Sequence, residues 1–118
     1  MERISDLEKK YVMEALDNAF ATSKNSIFNN RLEKAFADLY HSKYAIGLCN
    51  GTATLHTAVA ACGVKPGEEV IVPALTMTST AFGALNNGSL PVFADVDPDT
   101  FMITGETIEK VITPKTKA

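Results

Sequence analysis

The sequence from Lys65 to Asp97 is KPGEEVIVPALTMTSTAFGALNNGSLPVFADVD, and it decides the fold. Two short apolar runs, residues 69–73 and 90–95, flank a segment from about Thr78 to Asn87 that is typical of a core helix. Gly88 follows that segment and is suited to ending a helix. A strand, a helix and a second strand in this order favour a βαβ unit, in which both strands run parallel in one sheet.

The same alternation extends towards the N-terminus. Residues 44–49 form a short, nearly continuous apolar run, which predicts a strand buried on both faces. Asn50-Gly51-Thr52 predicts a tight turn, residues 53–62 a helix, and Gly63 the residue that ends it. The predicted fold class is therefore α/β, with a parallel sheet covered by helices on both faces in a three-layer αβα arrangement.

Two helices are predicted before the first strand. Ser5 and Glu8 have the spacing of a capping box at the start of one helix, and the second helix is expected over about residues 30–41. Residues 22–26 are expected to form a polar loop between them. Apolar residues at helical spacing are expected to form the inner faces: Leu7, Tyr11, Val12, Ala15, Leu16, Ala19 and Phe20 in the first helix, and Leu32, Ala35, Phe36, Leu39 and Tyr40 in the second.

Beyond the βαβ unit, Asp97-Pro98-Asp99 predicts a turn and residues 105–112 a short helix. Lys117-Ala118 follows another turn and is expected to start a further strand. We expect residues 1–43 to form an N-terminal helical segment and residues 44–118 to form the beginning of an α/β domain. The open edges of so small a parallel sheet suggest that the chain is the N-terminal piece of a longer protein.

The composition excludes several functional classes. With 118 residues, 46% hydrophobic and 21% charged, the chain is that of an ordinary globular protein of one domain at most. Its apolar stretches are too short to span a membrane, and the charged N-terminus is unlike a signal peptide, so a cytoplasmic location is expected. A net charge of −3 without a basic run argues against nucleic-acid binding. Cys49 and Cys62 lack metal-site spacing and are expected to be buried, reduced thiols.

Asn50-Gly51-Thr52 is the first candidate site, because ligands of open parallel sheets bind beyond the carboxyl ends of the strands. Glycine lets the backbone approach a ligand closely, the free amides of the following helix attract an anion, and the Thr52 hydroxyl adds a donor. A single phosphate would fit there, and so would a plain turn with a helix cap. The Rossmann fingerprint is absent, because no second glycine follows Gly51 before Gly63, and the P-loop string G-x-x-x-x-G-K-[ST] does not occur in the chain.

The other candidates have simpler interpretations. Four residues with hydroxyl groups flank Met77 in the sequence over residues 76–80. N-capping of the following helix by Thr76 or Thr78 is a simpler interpretation of them than a binding site. Asp97 is best explained as a turn former, whereas Asp95, at a strand end, stays open between turn, metal and acid–base roles. No metal site is predicted.

Several separated strings together resemble the N-terminal third of the DegT/DnrJ/EryC1/StrS family of sugar aminotransferases. They occur in the family's order and spacing, and they cover the chain from about Leu7 to Ala118. The strings are Leu32-Glu33 with Phe36-Ala37, Tyr44-Ala45, NGTATLH, KPGEEVIVPALT, PVFADVDPDTF and ITPKTKA.

The resemblance implies a fold-type-I enzyme that uses pyridoxal 5′-phosphate. Such enzymes aminate nucleotide-linked keto-sugars, usually with glutamate as amino donor, and work as homodimers. By position, Gly51 and Thr52 match residues that hold the cofactor phosphate. Met77 occupies the position where the family usually has an aromatic ring stacked on the cofactor. Residues 44–118 would then begin the large cofactor-binding domain.

No catalytic residue is assigned within this chain. In the family, the lysine that bonds the cofactor lies beyond the matched segment, and Lys110, Lys115 and Lys117 do not match its position. The chain by itself is therefore expected to be inactive. A family member with histidine in place of that lysine would be a dehydratase, and a complete chain of this size would be a small non-catalytic phosphate-binding module. Both alternatives remain open from the sequence.

Overall fold

The structure is a computed structural model that describes residues 3–18 and 26–118. The predictions for Ala19, Phe20 and residues 22–25 lie outside the described part. The chain divides into two compact units, Met1–Gly47 and Leu48–Ala118.

The first unit contains two capped helices. Helix α1 is Asp6–Asp17, and the predicted capping box is confirmed: the Glu8 amide donates to Ser5 Oγ at 3.2 Å, and the Ser5 amide donates to Glu8 Oε2 at 2.6 Å. Helix α2 is Ile27–Leu39. It begins three residues earlier than predicted because buried Ser26 caps it, accepting a hydrogen bond from the Asn29 amide.

The predicted inner faces of α1 and α2 are exposed. Neither helix buries a residue within the described part of the chain. The side chains of Arg31 and Glu14 join the two helices through bonds of 2.6 and 3.0 Å. The exposed apolar side chains are Leu7, Tyr11, Val12 and Leu16 of α1, and Leu32, Phe36 and Leu39 of α2, with Tyr40 after it.

The predicted strand at residues 44–49 is wrong. These residues form no strand, and Tyr44 and Ile46 are 74% and 75% exposed. An apolar run becomes a strand only where a neighbouring strand accepts and donates its backbone hydrogen bonds. Here side chains bond the segment instead, since the Gly47 amide donates to Glu33 Oε1 and Ser42 Oγ donates to the Tyr44 carbonyl.

The second unit alternates helices and strands as predicted. Its elements are α3 Gly51–Ala61, β1 Glu69–Pro73, α4 Thr78–Leu85, β2 Leu90–Ala94 and α5 Gly105–Glu109.

The two strands are parallel, with Glu69 opposite Leu90 and Pro73 opposite Ala94. The expected further strand also begins: the Lys117 amide donates to the Glu69 carbonyl, and the Ile71 amide donates to the Ala118 carbonyl. Strand β1 therefore lies between β2 and residues 115–118.

The core of the second unit lies where α4 packs on the sheet. Val64, Val70, Val72 and Ala84 form its buried cluster, and Ala84 is 0% exposed. Gly88 follows α4 with a φ of +73°, which glycine adopts without strain, so the predicted helix stop is confirmed.

The expectation that both cysteines are buried is wrong. Cys49 and Cys62 are exposed free thiols, because they lie just before and just after α3 and not in the core. Among the described helices, none has both the length and the apolar character needed to cross a bilayer.

Candidate functional site

The start of α3 is fixed by Asn50. This residue is extended, with a φ of −167°, and its side-chain oxygen accepts a hydrogen bond from the Ala53 amide at 2.9 Å. Its carbonyl accepts from both the amide and the hydroxyl of Thr54, each at 3.1 Å. Asn50 therefore uses the third and fourth amides of the helix start and leaves the first two.

Those first two amides belong to Gly51 and Thr52. Within the described residues, neither amide donates to a protein acceptor, and the half-buried Thr52 hydroxyl has no partner. The first turn of α3 contains no acidic residue that would neutralise the positive end of the helix dipole. The arrangement can bind an anion through two backbone amides and one hydroxyl.

Gly51 is not required by the protein's own backbone or packing. Its φ is outside the left-handed region, and a Cβ built there meets no atom within 4 Å. An alanine would therefore fit in the chain as it stands. Nothing in the described part of the chain fills the space beside the Gly51 Cα, so the backbone is accessible at this position.

The start of α4 is also open, in a way that the sequence did not predict. Met77 is the N-cap residue and forms no side-chain capping bond, so the prediction that Thr76 or Thr78 caps the helix is wrong. The Thr76 hydroxyl is instead bonded to the Thr80 hydroxyl, 2.9 Å away. The Met77 side chain is 77% exposed and free to contact a flat ligand surface.

The contact between α3 and α4 brings these two helix starts towards each other. Gly83 of α4 approaches Leu55 of α3 so closely that an added Cβ would lie 2.8 Å from Leu55 Cβ. Both residues lie within the first two turns of their helices. At 1.5 Å per residue, the starts of the helices are therefore within about 20 Å of each other.

Sequence reasoning missed Gly83 as a relevant residue. The available signal was a single glycine inside a helical pattern, which lowers helix stability and often marks a close packing contact.

The acidic residues after β2 form a turn. Asp97 Oδ1 accepts hydrogen bonds from the Asp99 and Thr100 amides and from the Thr100 hydroxyl, at 2.9 to 3.1 Å. The Thr100 bonds in particular hold the pKa of the Asp97 carboxyl below its usual value. The turn role predicted for Asp97 is confirmed. Asp95 Oδ1 accepts from the adjacent Val96 amide.

A cleft of about 440 Å³ lies beside this turn. Asp95, Asp97, Glu106 and Lys110 line it, and Lys110 is paired with Glu106 at 2.9 Å. None of the predicted cofactor residues lines this cleft. In the described ranges, 3–18 and 26–118, no group of three or more histidine, cysteine or acidic residues is placed to hold a metal ion.

Comparison with known proteins identifies the family. The GDP-perosamine synthase of Caulobacter vibrioides is 43% identical over 98% of this chain, which spans 31% of that relative. Among solved structures, an aminotransferase from Psychrobacter cryohalolentis superposes with a TM-score of 0.88 at 35% identity, over 98% of this chain and 29% of that one.

A second solved structure is the Escherichia coli GDP-4-keto-6-deoxy-D-mannose-3-dehydratase with bound hydrated PLP. It superposes with a TM-score of 0.82 at 27% identity, over 98% of this chain and 31% of that one. The predicted α/β fold class is confirmed by these likenesses and by the parallel sheet. Because the sequence model of the DegT/DnrJ/EryC1/StrS aminotransferase family matches residues 2–118, the chain belongs to that family.

Proposed function

We propose that these residues form the cofactor-phosphate end of a pyridoxal-phosphate-dependent sugar aminotransferase. Membership of an aminotransferase family and 43% identity to a GDP-perosamine synthase support this activity. The observation that carries the site assignment is the open start of α3, where two amides and a hydroxyl lack protein acceptors among the described residues.

The residues at this start fit a phosphate group. Gly51 leaves space for the phosphate in front of the helix, and the Gly51 and Thr52 amides point donors at it. The Thr52 hydroxyl supplies a third donor from the adjacent position. When bound, pyridoxal phosphate supplies the electron sink that amino-group transfer needs. The role of this part of the chain is to hold the cofactor by its charged end.

Met77 would pack on the flat face of the cofactor ring. The exposure of its side chain and the absence of a capping bond support this role, since nothing in α4 occupies the thioether. Sulfur is polarizable and makes favourable contacts with aromatic surfaces. A thioether would thus take the position where the family usually has an aromatic ring.

The lysine that bonds the cofactor would come from outside these 118 residues. Lys110 is engaged with Glu106, and Lys115 and Lys117 lie in the segment that joins β1. None of the three is near the start of α3 in sequence. We therefore assign no catalytic residue to this chain.

The proposed substrate is a keto-sugar linked to a nucleoside diphosphate, with glutamate as amino donor. The name of the Caulobacter relative makes GDP the first nucleotide to test. The whole enzyme would be a homodimer in the cytoplasm. Two exposed free thiols suit a reducing compartment, and the uncovered apolar faces of α1 and α2 suit a subunit interface.

A dehydratase of the same family is the second candidate. The likeness to the Escherichia coli dehydratase favours it, although that likeness is weaker than the likeness to the Psychrobacter aminotransferase. Incubation of the whole protein with glutamate and a GDP-linked 4-keto sugar separates the two. Formation of an amino sugar supports the aminotransferase, and loss of water from the sugar without amination supports the dehydratase.

The phosphate site is tested by Thr52→Val in the whole protein. Removing a hydroxyl that bonds a charged phosphate should weaken pyridoxal phosphate binding about tenfold or more. Thr57→Val is the matched control, because Thr57 is an exposed threonine in the same helix. Equal cofactor affinity for Thr52→Val, Thr57→Val and the unaltered protein would show that the phosphate assignment is wrong.

A further inference from the structure

We infer that Gly83 is a positioning residue that sets the location of the phosphate-binding start of α3. The inference rests on the proposed function, because it concerns the donors of Gly51 and Thr52. Gly83 itself contacts neither the proposed phosphate nor the proposed ring position. It acts through the packing of α4 against α3.

The approach of the two helices at Gly83 leaves no room for a side chain. A Cβ added there would lie 2.8 Å from Leu55 Cβ, 3.3 Å from the Leu55 carbonyl carbon and 3.5 Å from the His56 amide nitrogen. Ordinary contacts of a Cβ begin at 3.4 Å. Two of these three atoms belong to the helix backbone, so a change of side-chain rotamer cannot relieve the contact.

Of the two helices, α3 is the one that would move. Helix α4 is anchored on the sheet by Ala84, the residue after Gly83, which is fully buried in the core with Val70 and Val72. Helix α3 buries no residue fully, and its half-buried Val59, in the second half of the helix, packs against that core. A methyl group added at Gly83 would therefore displace α3, the less firmly held helix, because protein interiors resist compression.

The displacement would be concentrated at the start of α3. The segment that follows α3 is fixed, because Val64 is buried in the core and its carbonyl accepts a hydrogen bond of 2.8 Å from Asn87 Nδ2. Leu55 lies four residues, or one turn, after Gly51. With its far end held, α3 would pivot and carry the Gly51 and Thr52 donors away from their positions.

A glycine inside a helix is also unfavourable by itself. Replacement by alanine in a helix interior normally stabilises a protein, because glycine loses more conformational freedom on folding. The close approach to Leu55 explains why the smallest residue stands here at that cost. The structure thus assigns Gly83 a spacing role for which only glycine is small enough.

The test compares the affinity of the whole protein for pyridoxal phosphate with its affinity for pyridoxal, which lacks the phosphate. Both dissociation constants are measured by absorbance titration for Gly83→Ala and for the control Gly105→Ala. Gly105 is the first residue of α5, and a Cβ there meets no atom within 4 Å. The double variant Gly83→Ala with Leu55→Gly removes the closest contact, and Leu55→Gly alone is its reference.

We expect Gly83→Ala to lose about tenfold in affinity for pyridoxal phosphate, because misplacement by a fraction of an ångström weakens directional bonds. Affinity for pyridoxal should stay within about a factor of two, and adding Leu55→Gly should restore part of the loss. Gly105→Ala should match the unaltered protein. General destabilisation would instead lower both affinities together, and that result would overturn the positioning role.

The two proposals fail in different ways. Suppose that the unaltered protein binds pyridoxal phosphate more tightly than pyridoxal, and that Gly83→Ala has the same ratio of the two affinities. The Gly83 inference is then wrong, and the phosphate site stands. If the unaltered protein shows no preference for pyridoxal phosphate over pyridoxal, the phosphate site is wrong and the role of Gly83 falls with it.

Discussion

The starts of α1 and α5 differ from the starts of α3 and α4 in how their free amides are used. Helices α1 and α5 each have a complete capping box, formed by Ser5 with Glu8 and by Thr104 with Thr107. Each also has an acidic residue in its first turn. Helix α3 has a cap that reaches only one amide through its side chain, and α4 has no side-chain cap at all.

The difference indicates where a ligand can be held. A helix start with a capping box is called boxed here, and one without it is called open. At a boxed start, side chains of the protein satisfy the amides, and a carboxylate in the first turn interacts favourably with the positive end of the helix dipole. At an open start, the donors keep their capacity for an anion, and the helix forgoes the stability that a full cap would supply. Two open starts belong to the helices that carry Gly51, Thr52 and Met77, the residues predicted to hold the cofactor. The start of α2 is open in the same way, since its Ser26 cap bonds one amide and its first turn has no acidic residue, so an open start permits a ligand without requiring one.

The largest effect is expected from making the start of α3 resemble those of α1 and α5. In Gly51→Asp, the new carboxylate would repel the cofactor phosphate, and affinity for pyridoxal phosphate should fall about a hundredfold or more. The same carboxylate would interact favourably with the positive end of the helix dipole. The free energy of unfolding of the cofactor-free protein should therefore rise by about 0.5 kcal/mol. Equilibrium denaturation and cofactor titration measure the two quantities.

Gly105→Asp is the matched control, because Gly105 has the corresponding first position in α5 and an equally open Cβ site. It should leave the cofactor affinity unchanged. A Gly51→Asp protein that binds pyridoxal phosphate as tightly as Gly105→Asp would contradict the ligand-binding interpretation of the open start.

The sequence predicted the boxed start of α1 better than the open start of α4. A capping box is a local pattern, so Ser5 and Glu8 identify it with no knowledge of the rest of the fold. Thr76 and Thr78 looked equally suited to capping α4, yet the chain places Met77 at the cap, because the start of a helix depends on how the preceding strand ends.

Non-local features of the fold were predicted less well. The apolar run at residues 44–49 has the composition of a strand, but strand formation depends on a partner that local composition does not specify. The distance between Gly83 and Leu55 depends on helix packing across 28 residues of chain, which no local pattern encodes. In contrast, β1 has the predicted bounds and β2 ends only one residue earlier, because each is flanked by turn residues.

An intermediate effect is expected from capping the open start of α4. In Met77→Asn, the new side chain can accept a hydrogen bond from an amide of the first turn, since Met77 already has the extended backbone of an N-cap. The cofactor-free protein should gain about 1 kcal/mol in free energy of unfolding. Loss of the thioether contact should weaken pyridoxal phosphate binding about two- to tenfold.

Denaturation of the cofactor-free protein and cofactor titration again separate the two effects. Met77→Leu serves as the control, because it keeps the apolar volume and adds no cap. A gain in stability with unchanged cofactor affinity would mean that Met77 does not contact the ring.

The smallest effect is expected at the boxed start of α1, as a dependence on pH. Bonds from the Ser5 amide and, next, the Ser5 hydroxyl hold the pKa of the Glu8 carboxyl below its ordinary value of 4.5. A carboxyl with a lowered folded-state pKa contributes stability that is fully present above the unfolded-state pKa. That contribution is lost as the pH falls through the lower folded-state value.

Relative to Glu8→Gln, which keeps the box without a titrating charge, the unaltered protein should therefore lose stability as the pH falls below about 4.5. The loss will be small, because Glu8 is exposed to solvent and its charge is screened. NMR titration of the Glu8 carboxyl measures its pKa directly. Ser5→Ala removes the hydroxyl but keeps the backbone amide, so it should return that pKa only part of the way towards 4.5. A Glu8 pKa of 4.5 in the unaltered protein would show that the box does not hold the carboxylate in solution. The contrast between boxed and open helix starts would then rest on α5 alone.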